Sequence, residues 1–263
     1  TNTFNLLITE VFNDGVTSVD FQTKIPVMLG KESIEDHIIS NAAMQRALDA
    51  LKVFNDHIKK YKATKVIAKA TSAIREASNQ EYFTKKVLKE TGIKIDVISG
   101  EEEAEYIYHG VCGAVVLNNS NSLMMDIGGG STEFIIANKS GIKWKRSFLL
   151  GAARLLERSK PSDPITKEEI KKLEDHFRNE LKPMYPALSE FPVAELIGVA
   201  GVFESLAEII GHRHYFPELI KGKTEYTFSL DEFEEVYQLI IKSTHQQRTQ
   251  IKGLIAMRVD MIV

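Results

Sequence analysis

The stretch SLMMDIGGGSTEFIIA, Ser122 to Ala137, sets a carboxylate on each side of a glycine turn. An apolar run ends at Asp126. Gly128, Gly129 and Gly130 follow, and Ser131, Thr132 and Glu133 lead into a second apolar run. One glycine would satisfy a tight hairpin. Three in succession, with two hydroxyls behind them, let a backbone approach an anion closely and aim several N–H groups at it. Asp126 and Glu133 then read as partners of magnesium or of water. Mg2+ takes one or two carboxylates and completes its shell with water and phosphate oxygens. A dinucleotide fingerprint or a P-loop needs a helix directly after the glycines. Here TEFIIA is too short and too rich in apolar and aromatic residues for that helix, and no lysine stands at the P-loop position.

Two further groups carry chemistry. Glu101-Glu102-Glu103 opens a helical pattern, where acidic residues complement the helix N-terminus and Ser99 with Glu102 fits a capping box. Glu103 borders the apolar stripe Ala104, Ile107, Tyr108 and Val111. A carboxylate on that border suits a general base that activates water, with Glu102 as the alternative. Arg75 follows Thr71-Ser72 just after a strand-like segment. It either pairs with a surface acid such as Glu76 or presents its fork of donors to a terminal phosphate. His212 and His214 form an H-x-H pair with no third ligand nearby, which reads as surface.

These residues need elements to hold them. The pattern predicts a strand at 4–11, a turn at Asn13-Asp14-Gly15 and one or two strands over TSVDFQTKIPVML. Helical spacing runs from about 33 to 61 and again over 79–92, with Gly92 as a stop. Short strands are expected at 65–70 and 93–100, then a helix over EEEAEYIYHGVCGAVVL. The polar run Asn118 to Asn121 marks a boundary between domains 1–118 and 119–263. Beyond it come strands at 122–127, 132–137 and IKWKRSFLL, a helix from Gly151, a charged helix over 165–182, a buried strand ELIGVA, and helices at 202–210 and 231–243. GGSTEFII (129–136) lies over TNTFNLLI (1–8) at an offset of 128, with Thr3 on Ser131. The chain therefore reads as two hairpin-then-helix halves. The first copy begins inside its loop, so its first strand and acidic residue are expected to be missing from this sequence.

The totals set the class. A chain of 263 residues with 43% hydrophobic and 26% charged residues is globular, with one large or two small domains. A net charge of -3 argues against a nucleic-acid polymer as partner. One cysteine excludes an internal disulfide framework and fits a reducing compartment. No apolar run approaches the ~20 residues of a membrane span, and no basic-then-apolar leader opens the chain. A cytoplasmic protein without a membrane partner is expected, and a homodimer stays open as its assembly.

Five motifs occur in order: Thr1-Asn2-Thr3-Phe4, ATSAIREASN (70–79), ISGEEEAEYIYHGV (98–111), MDIGGGSTEF (125–134) and LLGAARLLE (149–157). With them the chain resembles the exopolyphosphatase / guanosine pentaphosphate (pppGpp) phosphohydrolase family of the actin-like ATPase superfamily. The resemblance implies an α/β protein of two ribonuclease-H-like domains with the active site in the cleft between them. It implies Mg2+-dependent removal of terminal phosphate from polyphosphate, or of the 5′ γ-phosphate from pppGpp. The family's catalytic glutamate falls on Glu103 and its phosphate-binding arginine on Arg75. Its phosphate loops fall on Asn2 and Thr3 and on Gly128 to Thr132, and it places Gly151 and Arg154 near the cleft. Gly198 to Gly201 resembles the loop that meets adenosine in sugar-kinase-like relatives, but Val202 and Phe203 stand where a hydroxyl is usual. That departure argues against ATP as substrate. The expectation is an exopolyphosphatase. The alternatives are a pppGpp 5′-phosphohydrolase, a sugar-kinase-like phosphotransferase and a non-catalytic sensor of phosphate chains. RVDMIV at the end reads as the lead-in to a final strand and helix, expected to be missing here.

Overall fold

The computed structural model describes residues 3–12, 16–30, 36–215 and 222–263. Asn2 and the expected turn at Asn13-Asp14-Gly15 lie outside the described residues. The protein is mixed α/β, and contacts divide it into two units, Thr1–Ser99 and Gly100–Val263.

In the first unit, β1 (Thr3–Val11) and β2 (Thr17–Pro26) form an antiparallel hairpin, while β3 (Ala68–Ala70) and β4 (Ile95–Val97) pair in parallel. Helix α1 (Asn41–Lys60) starts later than its apolar spacing suggests. Ser40 caps it, its hydroxyl accepting from the Ala43 N–H at 3.2 Å, and His37 just before has a positive φ of 51° that no helix continues. Its buried face, Ala43, Met44, Ala47, Leu48, Leu51 and Phe54, repeats at three and four residues and forms the core with Phe83 and Val87 of α3 (Gln80–Thr91). Gly92 ends α3 at φ 75°, the left-handed stop expected of it. The four-residue α2 (Ser72–Arg75) lies between β3 and α3. A cavity of about 370 Å3 is lined by Thr3 to Leu6 of β1 and Ala68 to Ala70 of β3, among others.

The second unit is built on a four-stranded sheet of order β7-β6-β5-β8: β5 (Asn121–Ile127), β6 (Thr132–Asn138), β7 (Gly141–Phe148) and β8 (Val193–Val199). β5 runs antiparallel to β6 and parallel to β8. Helix α4 (Gly100–Ala114) packs on one sheet face, where Ala104 and Val111 meet Met124, Ile135 and Ala137. This helix stands before the polar break at 118, yet its apolar stripe belongs to the second unit's core. Helices α5 (Ala152–Ser159) and α6 (Lys167–Glu180) follow the hairpin, and Leu155 and Phe177 pack with Phe134, Leu123 and Met125 on the opposite face. The short α7 (Tyr185–Glu190) had no clear sequence signal. α8 (Ala200–His214) and α9 (Leu230–Lys242) share a core of Leu206, Ile209, Ile210, Val236 and Ile240 with residues near the chain end, and α10 (His245–Arg248) precedes it.

One expectation is corrected. ELIGVA reads as a buried strand, but β8 lies at the sheet edge, and Ala194, Glu195, Leu196 and Gly198 are exposed. An apolar run alone does not separate a central strand from an edge strand.

The internal repeat extends further than its eight letters. β1–β2 and β6–β7 are both antiparallel hairpins, and each carries a bulge. The first lies between Ile8 and Thr9, the second between Ile136 and Ala137, so the two bulges keep the offset of 128. Bulges are specific features of a strand pair rather than noise. Their shared position makes the two hairpins copies of one unit.

Candidate active site

Side chains alternate across a strand. Asp126 and Glu133 are therefore on one face of their hairpin, and the register sets them directly opposite each other. Met124 and Ile135 share that face and pack against α4. Glu103 projects from the first turn of α4, half-buried beside the fully buried Ala104, whereas Glu101 and Glu102 are exposed. An ion pair between Glu105 and Lys145 of β7 further ties α4 to the sheet.

The charge of Glu103 acts on both carboxylates of the hairpin. Burial, and behind it the charge of Glu103, pushes Asp126 up to about 6. Burial, then Glu103 and more weakly Asp126, pushes Glu133 up to about 7. Two hydroxyls oppose that shift: Ser147 donates to Glu133 Oε1 at 2.6 Å, and Ser131 also bonds the carboxylate. Glu133 is only 1% exposed, so these hydroxyls replace lost water. Ser147 lies in none of the sequence motifs. Simple pairing back from the Asn138–Gly141 turn would put Arg146 opposite Glu133. The bulge shifts the register by one and brings Ser147 there instead.

The glycine loop is fixed from its other side. The Ala152 N–H donates to Gly128 O at 2.9 Å and the Arg154 N–H to Gly129 O at 3.1 Å. Arg154 Nε donates to Gly130 O at 2.9 Å. In a trans peptide the N–H points opposite to the preceding C=O. Three carbonyls turned toward α5 therefore turn the N–H groups of Gly129, Gly130 and Ser131 away from it. α5 lies on the Phe134 face, so these amides turn toward the side that bears Asp126 and Glu133. Gly151 permits the approach: a Cβ there would lie 2.4 Å from backbone atoms of Gly129 and Gly130. Two early backbone donors of α5, Ala152 and Arg154, are thus spent on loop carbonyls. The Thr132 hydroxyl is spent as well, donating to Leu150 O at 2.9 Å.

In the first unit, Thr3 opens β1. Arg75 is half-buried at the end of α2, with Nη1 donating to Ile98 O at 3.0 Å and Nε paired with Glu76 at 3.2 Å. The pairing with Glu76, one of the two readings of Arg75 in the sequence, is present.

As a metal site, the donors are hard oxygens. Among the described residues no three His, Cys, Asp or Glu side chains converge as a cage. Asp126 and Glu133 supply two opposed carboxylates, and the charge of Asp126 helps raise the pKa of Glu133, a repulsion that a cation relieves. That suits Mg2+, which leaves its other positions to water and phosphate oxygens. No helix among the described residues is long and apolar enough to cross a membrane.

Comparison with known proteins places these features in context. The model of the Ppx/GppA phosphatase family matches residues 8–263. The bifunctional 3-dehydroquinate synthase/phosphatase of Fusobacterium nucleatum is 33% identical over 276 aligned residues, covering 100% of this chain and 40% of that protein. The guanosine-5′-triphosphate,3′-diphosphate pyrophosphatase of Photobacterium profundum is 30% identical over 210 residues, covering 80% of this chain and 42% of that protein. The chain thus spans about two fifths of the length of the curated relatives it matches. The crystal structure of an exopolyphosphatase from Cytophaga hutchinsonii superposes with a TM-score of 0.94 at 39% identity, covering 100% of this chain and 84% of that one. The Ppx-GppA enzyme of Aquifex aeolicus gives a TM-score of 0.78 at 25% identity, covering 99% and 85%.

Proposed function

The chain belongs to the Ppx/GppA phosphatase family, and from that premise we propose that it is an exopolyphosphatase, releasing terminal orthophosphate from inorganic polyphosphate with Mg2+. The observation that carries this is the face shared by the opposed pair Asp126–Glu133, Glu103 and the outward amides of the glycine loop. The N–H groups of Gly129, Gly130 and Ser131 hold oxygens of the terminal phosphate. Glu103 takes a proton from a water that attacks phosphorus, and the bond to the leaving phosphate oxygen breaks. Asp126 and Glu133 would hold Mg2+, which when bound neutralises charge on the phosphate oxygens. Positioning and electrostatics then supply most of the rate. Thr3, Asn2 and Arg75 belong to the first unit and enter through their motifs as phosphate-binding groups.

Polyphosphate is preferred over pppGpp because the Cytophaga protein, alike over the whole chain, is described as an exopolyphosphatase. The Photobacterium relative supports a pppGpp 5′-phosphohydrolase as the second reading. A sugar-kinase-like phosphotransferase draws no support from the turn at Gly198–Gly201. The Phe203 ring lies 2.0 Å from where a Gly198 Cβ would be, and the Arg258 guanidinium 2.2 Å from that of Gly201. The chain's own side chains thus pack directly against both glycines. As for fold type, the duplicated bulged hairpin supports two ribonuclease-H-like units of the actin-like ATPase kind.

Phosphate release from polyphosphate and from pppGpp, with and without Mg2+, tests the proposal. Wild type is expected to require Mg2+ and to favour polyphosphate. Glu103→Ala is expected to lose about 100- to 10,000-fold in kcat. Release unaffected by Glu103→Ala would remove the base, and binding without release would leave a sensor.

A further inference from the structure

The glycine loop has no side chains with which to fix its own conformation. Glycine visits many backbone states, and a loop of three would sample peptide flips that turn N–H groups toward or away from an anion. What holds the loop is the start of α5, and one residue there acts twice. The backbone N–H of Arg154 donates to Gly129 O at 3.1 Å, and its Nε donates to Gly130 O at 2.9 Å. Two consecutive carbonyls are held by one amino acid, 5% exposed, whose charge is carried into the protein to do so. Burying a guanidinium costs free energy that a surface position would not.

We propose that Arg154 is a positioning residue: it clamps the carbonyl of Gly130 and so directs the Ser131 N–H, the last of the three loop amides, at the bound phosphate. This rests on the phosphate-site reading above and adds to it the group that orients the amides. The backbone clamp on Gly129 survives any substitution at 154 except proline, because it is an N–H bond. The clamp on Gly130 does not, because it is the side chain's. Removing the side chain therefore frees the Gly130–Ser131 peptide in particular. A methionine fills a similar volume without donating. A lysine donates from a different point along its stem and lacks the planar guanidinium.

The test uses the whole chain labelled with 15N and imidodiphosphate as probe, whose P–N–P link resists hydrolysis. In wild type the amide signals of Gly129, Gly130 and Ser131 are expected to shift on titration. Arg154→Met is expected to keep its melting transition while losing the Ser131 shift, with affinity about 10- to 100-fold weaker and a comparable fall in kcat for phosphate release. Arg154→Lys is expected to lie between, at least about 3-fold weaker than wild type. Where Arg154→Met fails to fold, the lysine variant decides: weakened binding at unchanged melting temperature supports the clamp. Wild-type affinity and an intact Ser131 shift in either folded variant would overturn it. Loop amides that ignore the probe in wild type would also overturn it, even with phosphate released. Loop amides that respond in a protein releasing no phosphate would leave the clamp standing and remove the hydrolase instead.

Discussion

Glu133 shows how much one position in a register decides. Its carboxylate is buried, faces Asp126 across the hairpin and accepts from Ser147 only because a bulge intervenes after Ile136. Its pKa, raised from 4.5 to about 7, has a signed consequence. Between those values the folded chain holds a proton that the unfolded chain has released. Stability therefore falls as pH rises through that window, and the whole penalty is present above about 7. Glu133→Gln removes the penalty. In EDTA, urea unfolding is expected to show the variant more stable than wild type by about 1–3 kcal/mol at pH 8, with the difference gone near pH 4. The same variant is expected to lose Mg2+-dependent phosphate release. A variant less stable than wild type at pH 8 would contradict this view of the buried charge. Asp126, raised to about 6, acts in the same direction. Mg2+ bound at the proposed site would displace those protons, so the Mg2+ needed for half-maximal activity is expected to fall from pH 6 to pH 8.

Elements supply the rigidity that a glycine loop lacks. Gly151→Ala would drive a methyl to 2.4 Å from the backbone of Gly129 and Gly130, where no flexible side chain can give way. It is expected to cost about 1–3 kcal/mol and most of the activity. Gly92→Ala is the contrast: nothing lies within 4 Å, and the strain of φ 75° is its main cost. About 1 kcal/mol of stability should go, with kcat unchanged, as thermal melts and phosphate assays would record. Gly92 as the stop of α3 was legible because it is local, whereas the start of α1 after Ser40 was not, since the apolar spacing runs back to about 33. In the structure α6 opens at Thr166 with both bonds of a capping box to Glu169. Backbone and side-chain bonds from Thr166 lower the Glu169 pKa to about 2. Its contribution is present above about 4.5 and lost as pH falls toward 2. Less legible were α7, a helix of only six residues, and the exposure of β8, because neither length nor hydropathy reports where in a sheet a strand will stand.

At the scale of the molecule, the two units have separate clusters of buried side chains. Phe83, fully buried among α1 and α3 residues, anchors the first. Phe83→Ala is expected to cost about 3–5 kcal/mol and to lower hydrogen-exchange protection in α1 and α3 before the β5–β7 sheet. The duplication belongs to this scale too, and its copies have diverged in chemistry. At the offset of 128, Glu133 corresponds to Asn5, which faces Lys24 rather than a serine. The sequence alone determined the hairpin repeat, the glycine loop with its flanking acids, and Glu103 on the border of an apolar stripe. Each follows from spacing, because strand and helix periods are fixed by backbone geometry. Tertiary structure decided the rest. It chose Ser147 over Arg146 through one extra residue, assigned α4 to the second unit's sheet, and turned the loop carbonyls onto Arg154. Those outcomes depend on which surfaces meet after the elements form, and contacts between residues distant in the chain leave no periodic trace in it.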